Sequence, residues 1–312
     1  MRQQSSAIHR SGESIGMALG FVGVAIFSLS LPATREAVEA FGAWTVGFGR
    51  AVLAAICAVA VLIATRTARP EASQLKRLMI VGAGVVVGFP LFTGLALETS
   101  TASRGAIVIG VLPSATALVA TLRHGERPSR WFWLAAGGGL LTVVVFAVAT
   151  GANGRPELAD VFFLLAVLAA AIGYAEGAAL THELGGWQTI SWALVIGLPI
   201  TVPVATISLV HHGIDHPQLS HWVALGYVSL FSMYLGFFAW YAGLHLGGVA
   251  RVSQIQLLQP TLTLLWSALL LGETVTSSSI ATAALVLGFV AASKRAGVQR
   301  RPSHSAQALL DH

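Results

Sequence analysis

The chain predicts an all-α integral membrane protein with ten transmembrane helices, arranged as two inverted five-helix repeats. Three observations carry this. Hydrophobic residues make up 55% of the chain and charged residues 10%, with a mean hydropathy of +0.76, whereas about a quarter of a soluble domain is charged. Apolar segments near the roughly 20 residues that a bilayer core demands recur along the chain. Finally, the chain repeats itself: a shift of 147 positions lays Leu97 on Leu244, Arg104 on Arg251, Pro113 on Pro260, Thr116 on Thr263, and Gly125-Glu126 on Gly272-Glu273.

The first apolar segment, 14–32, has a basic run-up in Arg2 and Arg10, as a signal peptide would. Removing it would leave one half with four helices, so it is read as a span. Segments 44–64, 78–97, 104–122 and 131–150 complete a first unit over 14–150. Segments 158–180, 188–210, 222–244, 250–271 and 278–293 form a second over 158–294. The connections are too short to hide a soluble domain. Residues 1–13 are read as a cytoplasmic N-terminus and 295–312, polar and without periodicity, as a disordered cytoplasmic tail.

Orientation follows from lysine and arginine. With both termini in the cytoplasm, fourteen basic residues fall inside, in loops such as 66–77 and 123–130 and around 294–301. Three fall outside (Arg35, Arg104, Arg155), and Arg50 lies within the second span. The location implied is a bacterial inner, or plasma, membrane, crossed many times. Five helices per unit is odd, so the second copy enters from the opposite face. Inverted repeats of this kind suit alternating access.

The pI of about 10.0 does not indicate nucleic acid, because the basic residues sit in short loops between spans. The single cysteine, Cys57, excludes an internal disulfide and a cysteine-based zinc site. No cofactor is implied, no metal set is formed, and no Walker A pattern accompanies the repeats.

Ten spans in two halves, with a central proline and a closing Gly-Glu in the fourth and ninth, resemble the EamA-type transporters of the drug/metabolite transporter superfamily. Arg35, Trp44 and Arg50 also fit, and Trp187 takes the place of Trp44 in the second half, where Ala193 replaces Arg50. The resemblance covers roughly 14–294. It implies transport of a small organic solute across the plasma membrane, often an amino acid or related metabolite and often outward, and it implies no enzyme.

Several residues are candidates for the solute path. Pro113 and Pro260 free the carbonyls of Ile109 and Gln256, which must then face protein or a watery cavity. That defect serves either packing or the path. In the ninth span Ser253, Gln256, Pro260, Thr263 and Ser267 form one polar stripe, read as interhelical hydrogen bonding or as a cavity wall. In the eighth, Tyr227, Phe231, Tyr234, Phe238 and Tyr241 form an aromatic stripe. Tyr234, Phe238 and Tyr241 are substrate-binding candidates if this stripe faces the polar one, and packing residues if it does not. The site expected is asymmetric and furnished mainly by the second half.

Arg50 lies about two turns from the outer surface, within snorkelling reach, so a structural role competes with substrate contact. Glu98 and Arg104 read as a loop-fixing pair. Glu176, in the sixth span, is a candidate for proton coupling, with an ion pair to Arg251 as the alternative. The histidines of 211–221 read as a solvated outer loop. A membrane enzyme would need a convergent catalytic set, which the spans lack, and a channel has less need of inverted repeats. A cavity with few fixed charges favours zwitterionic or amphipathic solutes over polyanions. An importer of the same fold is the alternative to an exporter, since fold and orientation serve both directions; substrate identity, coupling ion and oligomeric state are not specified by the sequence.

Overall fold

The computed structural model describes residues 2–123, 127–151, 155–247, 255–295 and 298–299. The helices, in chain order, are α1 (Arg2–Ser28), α2 (Ser30–Ala64), α3 (Ala72–Val81), α4 (Phe89–Thr99), α5 (Ala102–Ile109), α6 (Leu112–Arg123) and α7 (Arg130–Thr150). There follow α8 (Leu158–Leu184), α9 (Gly186–His212), α10 (Leu219–Gly226), α11 (Gly236–Gly247), α12 (Gln259–Leu271) and α13 (Ser277–Arg295). Wide π-type turns join α3 to α4 over Gly82–Gly88 and α10 to α11 over Tyr227–Leu235. Among the described residues, extended pairing is confined to Arg127–Pro128 against Val298–Gln299. Those last two residues belong to the segment expected to be a disordered tail; residues 300–312 lie outside the described residues.

Among the described residues, seven helical stretches are long and apolar enough to cross a membrane, and two shorter apolar helices follow at Gln256–Leu271 and Ser277–Ala292. This differs from the expected ten spans in two ways. The first two expected spans fall inside one helical stretch of 51 residues, Ser14–Ala64. The ninth and tenth are short, the ninth because residues 248–254, where it was expected to begin, lie outside the described residues.

The long stretch is interrupted at Gly42, whose φ of 71° and ψ of 158° lie outside the helical region. Only glycine adopts that conformation without strain. The partners change at the same point. Before it, the chain runs antiparallel to α11 and the second π segment: Gly20 meets Gly243, Gly23 meets Trp240, and Ser30 meets Ser232. Phe41 then meets Trp222, and the Ala40 carbonyl accepts from the Asp215 amide at 3.0 Å. After it, Ala43 and Gly47 pack on Gly94 and Leu91 of α4. The amide of Ala43, freed by the break, donates to Glu98 Oε1 at 2.7 Å. Glu98 is thus a helix cap and not the partner of Arg104.

Close helix crossing depends on the absence of side chains at a few glycines. A Cβ on Gly84 would stand 2.4 Å from the carbonyl oxygen of Ala169 and 2.9 Å from Gly173 Cα, both backbone atoms of α8. Gly88 meets the Ala169 methyl in the same crossing, and Gly138 accommodates the Phe289 ring. Gly137, by contrast, has open space around it. Large apolar side chains such as Ile63, Leu141, Val145, Ile200, Leu269 and Leu285 are exposed on the outside of the bundle, as residues that meet lipid would be.

Candidate functional site

Two adjoining cavities lie among the helices. The larger, about 500 Å³, is lined by Phe27, Ser30 and Arg50 from the first helical stretch, Val85, Phe89 and Pro90 around the first π segment, and Tyr174 of α8. Ser232, Met233 and Phe237 around the second π segment, with Gln259, close it. The second cavity, about 360 Å³, is lined by Pro113, Gln256, Pro260 and Thr263, among others. Leu31, Ile109, Leu112 and Gln259 belong to both.

The walls follow the internal repeat. Under the shift of 147 positions that lays Pro113 on Pro260, Phe27 falls on Tyr174, Val85 on Ser232, Pro90 on Phe237, Ile109 on Gln256 and Leu112 on Gln259. All ten residues line one cavity or the other. In four of the five pairs the second half carries the polar member. The two π segments correspond in the same way, so equivalent helices widen beside the same space. Such widened turns concentrate at functional sites.

Both prolines interrupt their helices as the missing amide requires. The helix breaks at Gly110-Val111, ahead of Pro113, and tightens into a 3₁₀ turn over Gln256–Leu258 ahead of Pro260. Thr263 is 2% exposed, and its hydroxyl donates to the Ser28 carbonyl at 2.8 Å. Ser253 lies outside the described residues.

Arg50 is not a snorkelling residue. It is 3% exposed, set beside Ser232 of the second π segment and Tyr174 of α8. Its Nη2 donates to Ser232 Oγ at 3.0 Å, and Ser232 and Ser30 hydroxyls lie 2.6 Å apart. The Nε of Arg50 is buried without an acceptor.

The aromatic candidates stand elsewhere. Tyr234 is 2% exposed, its hydroxyl hydrogen-bonded to Ser191 of α9 at 3.0 Å. Phe238 lies against Trp187 and Tyr234, and Tyr241 is buried against Phe237 and the backbone of Gly177 and Gly186. These three pack on α8 and α9, away from α12 and from both cavity walls. The aromatic and polar stripes therefore do not face each other. The adjacent face of the same helix, with Ser232, Met233 and Phe237, lines the cavity instead. Sequence reasoning missed Tyr174, Ser232 and Gln259; the signal was present, since each is the polar partner of an apolar residue in the first half.

Charged residues gather at the two ends of the bundle. At one end Glu176, fully buried, contacts both Arg77 of α3 and Arg123 at the end of α6. Arg77 also reaches Glu183 at 2.5 Å. That hydrogen bond holds the exposed Glu183 carboxyl below the usual carboxylate range, so the contact is present at neutral pH and is lost only as pH falls through the lowered value. Arg251, the partner expected for Glu176, lies outside the described residues.

At the opposite end Arg104 forks onto Asp160, both bonds 2.7 Å, and lies 3.8 Å from Glu157. There the repeated Gly-Glu dipeptide shows its second copy at work. Gly272 ends α12 in the left-handed conformation, with φ of 63°. Glu273 then accepts from the amides of Ala102 and Ser103, each at 2.8 Å. A carboxylate on the free amides of a helix start satisfies them and complements the helix dipole. The first copy, Gly125-Glu126, lies outside the described residues. Among the described residues no group of three or more His, Cys, Asp or Glu side chains is placed to hold a metal.

A model of the EamA-like transporter family matches residues 14–148 and 157–293. The chain is 44% identical over 278 residues to an uncharacterized transporter, YdeK, of Bacillus subtilis (strain 168), covering 88% of this chain and 96% of that protein. A solved crystal structure shares the fold, with a TM-score of 0.59 at 18% identity, over 89% of this chain and 97% of that one. The family and the relative point to a transporter and not to an enzyme. With its apolar helices, its cavity and its two family matches, this chain is a multi-pass membrane protein that belongs to the EamA-like transporter family.

Proposed function

We propose that the protein is a secondary carrier that moves a small organic solute, of the amino-acid or related-metabolite type, outward across the bacterial plasma membrane by alternating access. The observation that carries this reading is the cavity whose walls come from residues equivalent under the repeat. Two similar halves that share one central space can present it to either face by exchanging conformations. In this reading Gly42 divides the first helical stretch into two crossings. With the two short helices, the count becomes ten, in inverted units over 14–150 and 158–294, with both termini cytoplasmic.

The solute path runs between Arg50, Gln256 and Thr263, with Pro113 and Pro260 as the flexible points of their helices. Tyr234, Phe238 and Tyr241 act behind the wall, holding the second π segment against α9. The Arg77–Glu176–Arg123 cluster closes the cytoplasmic end. Arg104–Asp160 and Glu273 tie the outer end. Protonation of Glu176 would release both arginines, which makes proton coupling and cytoplasmic opening a single event.

The test is flux. Overexpression in a bacterial host is expected to enrich a solute in the medium. That solute should show saturable uptake and counter-exchange in proteoliposomes, driven by a pH gradient in the wild type and not in Glu176→Gln. Non-saturating flux without counter-exchange would make the protein a channel. Full gradient-driven flux in Glu176→Gln would remove Glu176 from coupling.

A further inference from the structure

We infer that the Arg50 cavity binds a monocarboxylate with an apolar body, and that the ligand's carboxylate is the counter-charge Arg50 lacks. The inference rests on the reading of this cavity as the solute path. The other arginines that are partly or wholly covered bring carboxylates of their own: Arg35 has Glu39, Arg77 and Arg123 share Glu176, and Arg104 has Asp160. Arg50 is the most deeply buried of them and takes part in none of the ion pairs formed among the described residues. Its one hydrogen bond is to a neutral hydroxyl, Ser232, while its Nε is left without an acceptor.

A buried guanidinium without a counter-charge is costly. A purely structural arginine would be expected to have been given an Asp or Glu, as the other four were. The planar fork of donors fits a carboxylate in two-point contact. The rest of the wall sets the remainder of the ligand. Phe27, Phe89, Val85 and Phe237 offer apolar and aromatic surface, and Ser30 and Tyr174 offer neutral hydroxyls. Among the described residues no Asp or Glu lines the cavity, so an ammonium group would be stripped of water with no opposite charge there to meet it. A second anionic group would find no second cation among the described lining residues. The geometry therefore selects one negative charge, an apolar or aromatic body, and no amine. A deaminated or N-acylated amino acid satisfies this better than the amino acid itself.

The experiment measures binding to the purified full chain in lipid nanodiscs by isothermal calorimetry, with 3-phenylpropionate as probe. Its amide, 3-phenylpropionamide, and L-phenylalanine are the comparisons. The acid is expected to bind about 10- to 100-fold more tightly than the amide, the equivalent of one or two charge-assisted hydrogen bonds. It is also expected to bind more tightly than phenylalanine. Arg50→Gln should lose that preference and Arg50→Lys should keep part of it. The acid-to-amide comparison on wild-type protein needs no variant to fold.

Equal affinity for acid and amide, tighter binding of phenylalanine, no binding of the acid at millimolar concentration, or an unchanged preference in Arg50→Gln would each overturn the assignment. Counterflow in proteoliposomes separates the two proposals. Acid-selective binding without flux would leave the site standing and sink the carrier. Flux of other solutes without acid preference would do the reverse.

Discussion

Replacing both Arg77 and Arg123 by alanine is expected to destabilise the protein by about 3–5 kcal/mol, the cost of a buried charge deprived of its partners. Removing Glu176 as well is expected to return part of that stability. Glu176 is fully buried, whereas its partners are 28% and 42% exposed at the side chain. This asymmetry decides the order of the variants. Without the arginines, the carboxylate is left in a low-dielectric interior with no other cation opposite it among the described residues. Without Glu176, the arginines can still turn toward water, so Glu176→Ala alone should cost less than the double arginine variant. Thermal unfolding of detergent-purified variants checks this. A triple variant no more stable than the double would show that Glu176 is not the charge these arginines neutralise.

The second large effect is steric. Gly84→Val is expected to cost at least the roughly 1–3 kcal/mol typical of overpacking a core, because the atoms its Cβ would meet, 2.4 and 2.9 Å away, are backbone and cannot rotate aside. The α8 helix must move away as a body. Val85, next in sequence, lines the larger cavity, so the displacement should reach the solute path and lower flux along with stability. Gly137→Ala is the control: the space around it is open, and replacing glycine within a helix should be neutral or stabilising by up to about 1 kcal/mol. A Gly84→Val protein with wild-type melting temperature would refute the close crossing.

Much of the architecture was legible because it is written twice. The shift that aligns Pro113 with Pro260 requires no structure, and it carries the duplication, the broken helices and the Gly-Glu ends with it. Depth within the bundle was not legible. Arg50 lies two turns from a helix end, which gives its height along the helix axis but not which neighbours cover it, and burial depends on the second. The aromatic stripe failed for a related reason: periodicity shows that Tyr234, Phe238 and Tyr241 share a face, not which helix that face meets.

Charge partners were the least legible. Glu98 and Arg104 are six residues apart, yet each finds its partner far away in sequence, at Ala43 and at Asp160. Loop proximity is a poor guide where every helix end meets several others. The polar partners Tyr174, Ser232 and Gln259 were within reach of the sequence. Applying the repeat to every position, and not only to the ninth span, exposes the places where the second half replaces an apolar residue with a polar one.

The measurement that bears most directly on alternating access is the accessibility of Val85→Cys, in a Cys57→Ala background, to a membrane-impermeant thiol reagent applied from each face. Val85 lines the central cavity from the first half, and no knowledge of the solute is needed. Labelling from both faces is expected. Cross-linking cysteines introduced at Arg77 and Glu176 should abolish labelling from the cytoplasmic face and preserve it from outside. Labelling from neither face, or from one face whether or not the cytoplasmic end is locked, would contradict it.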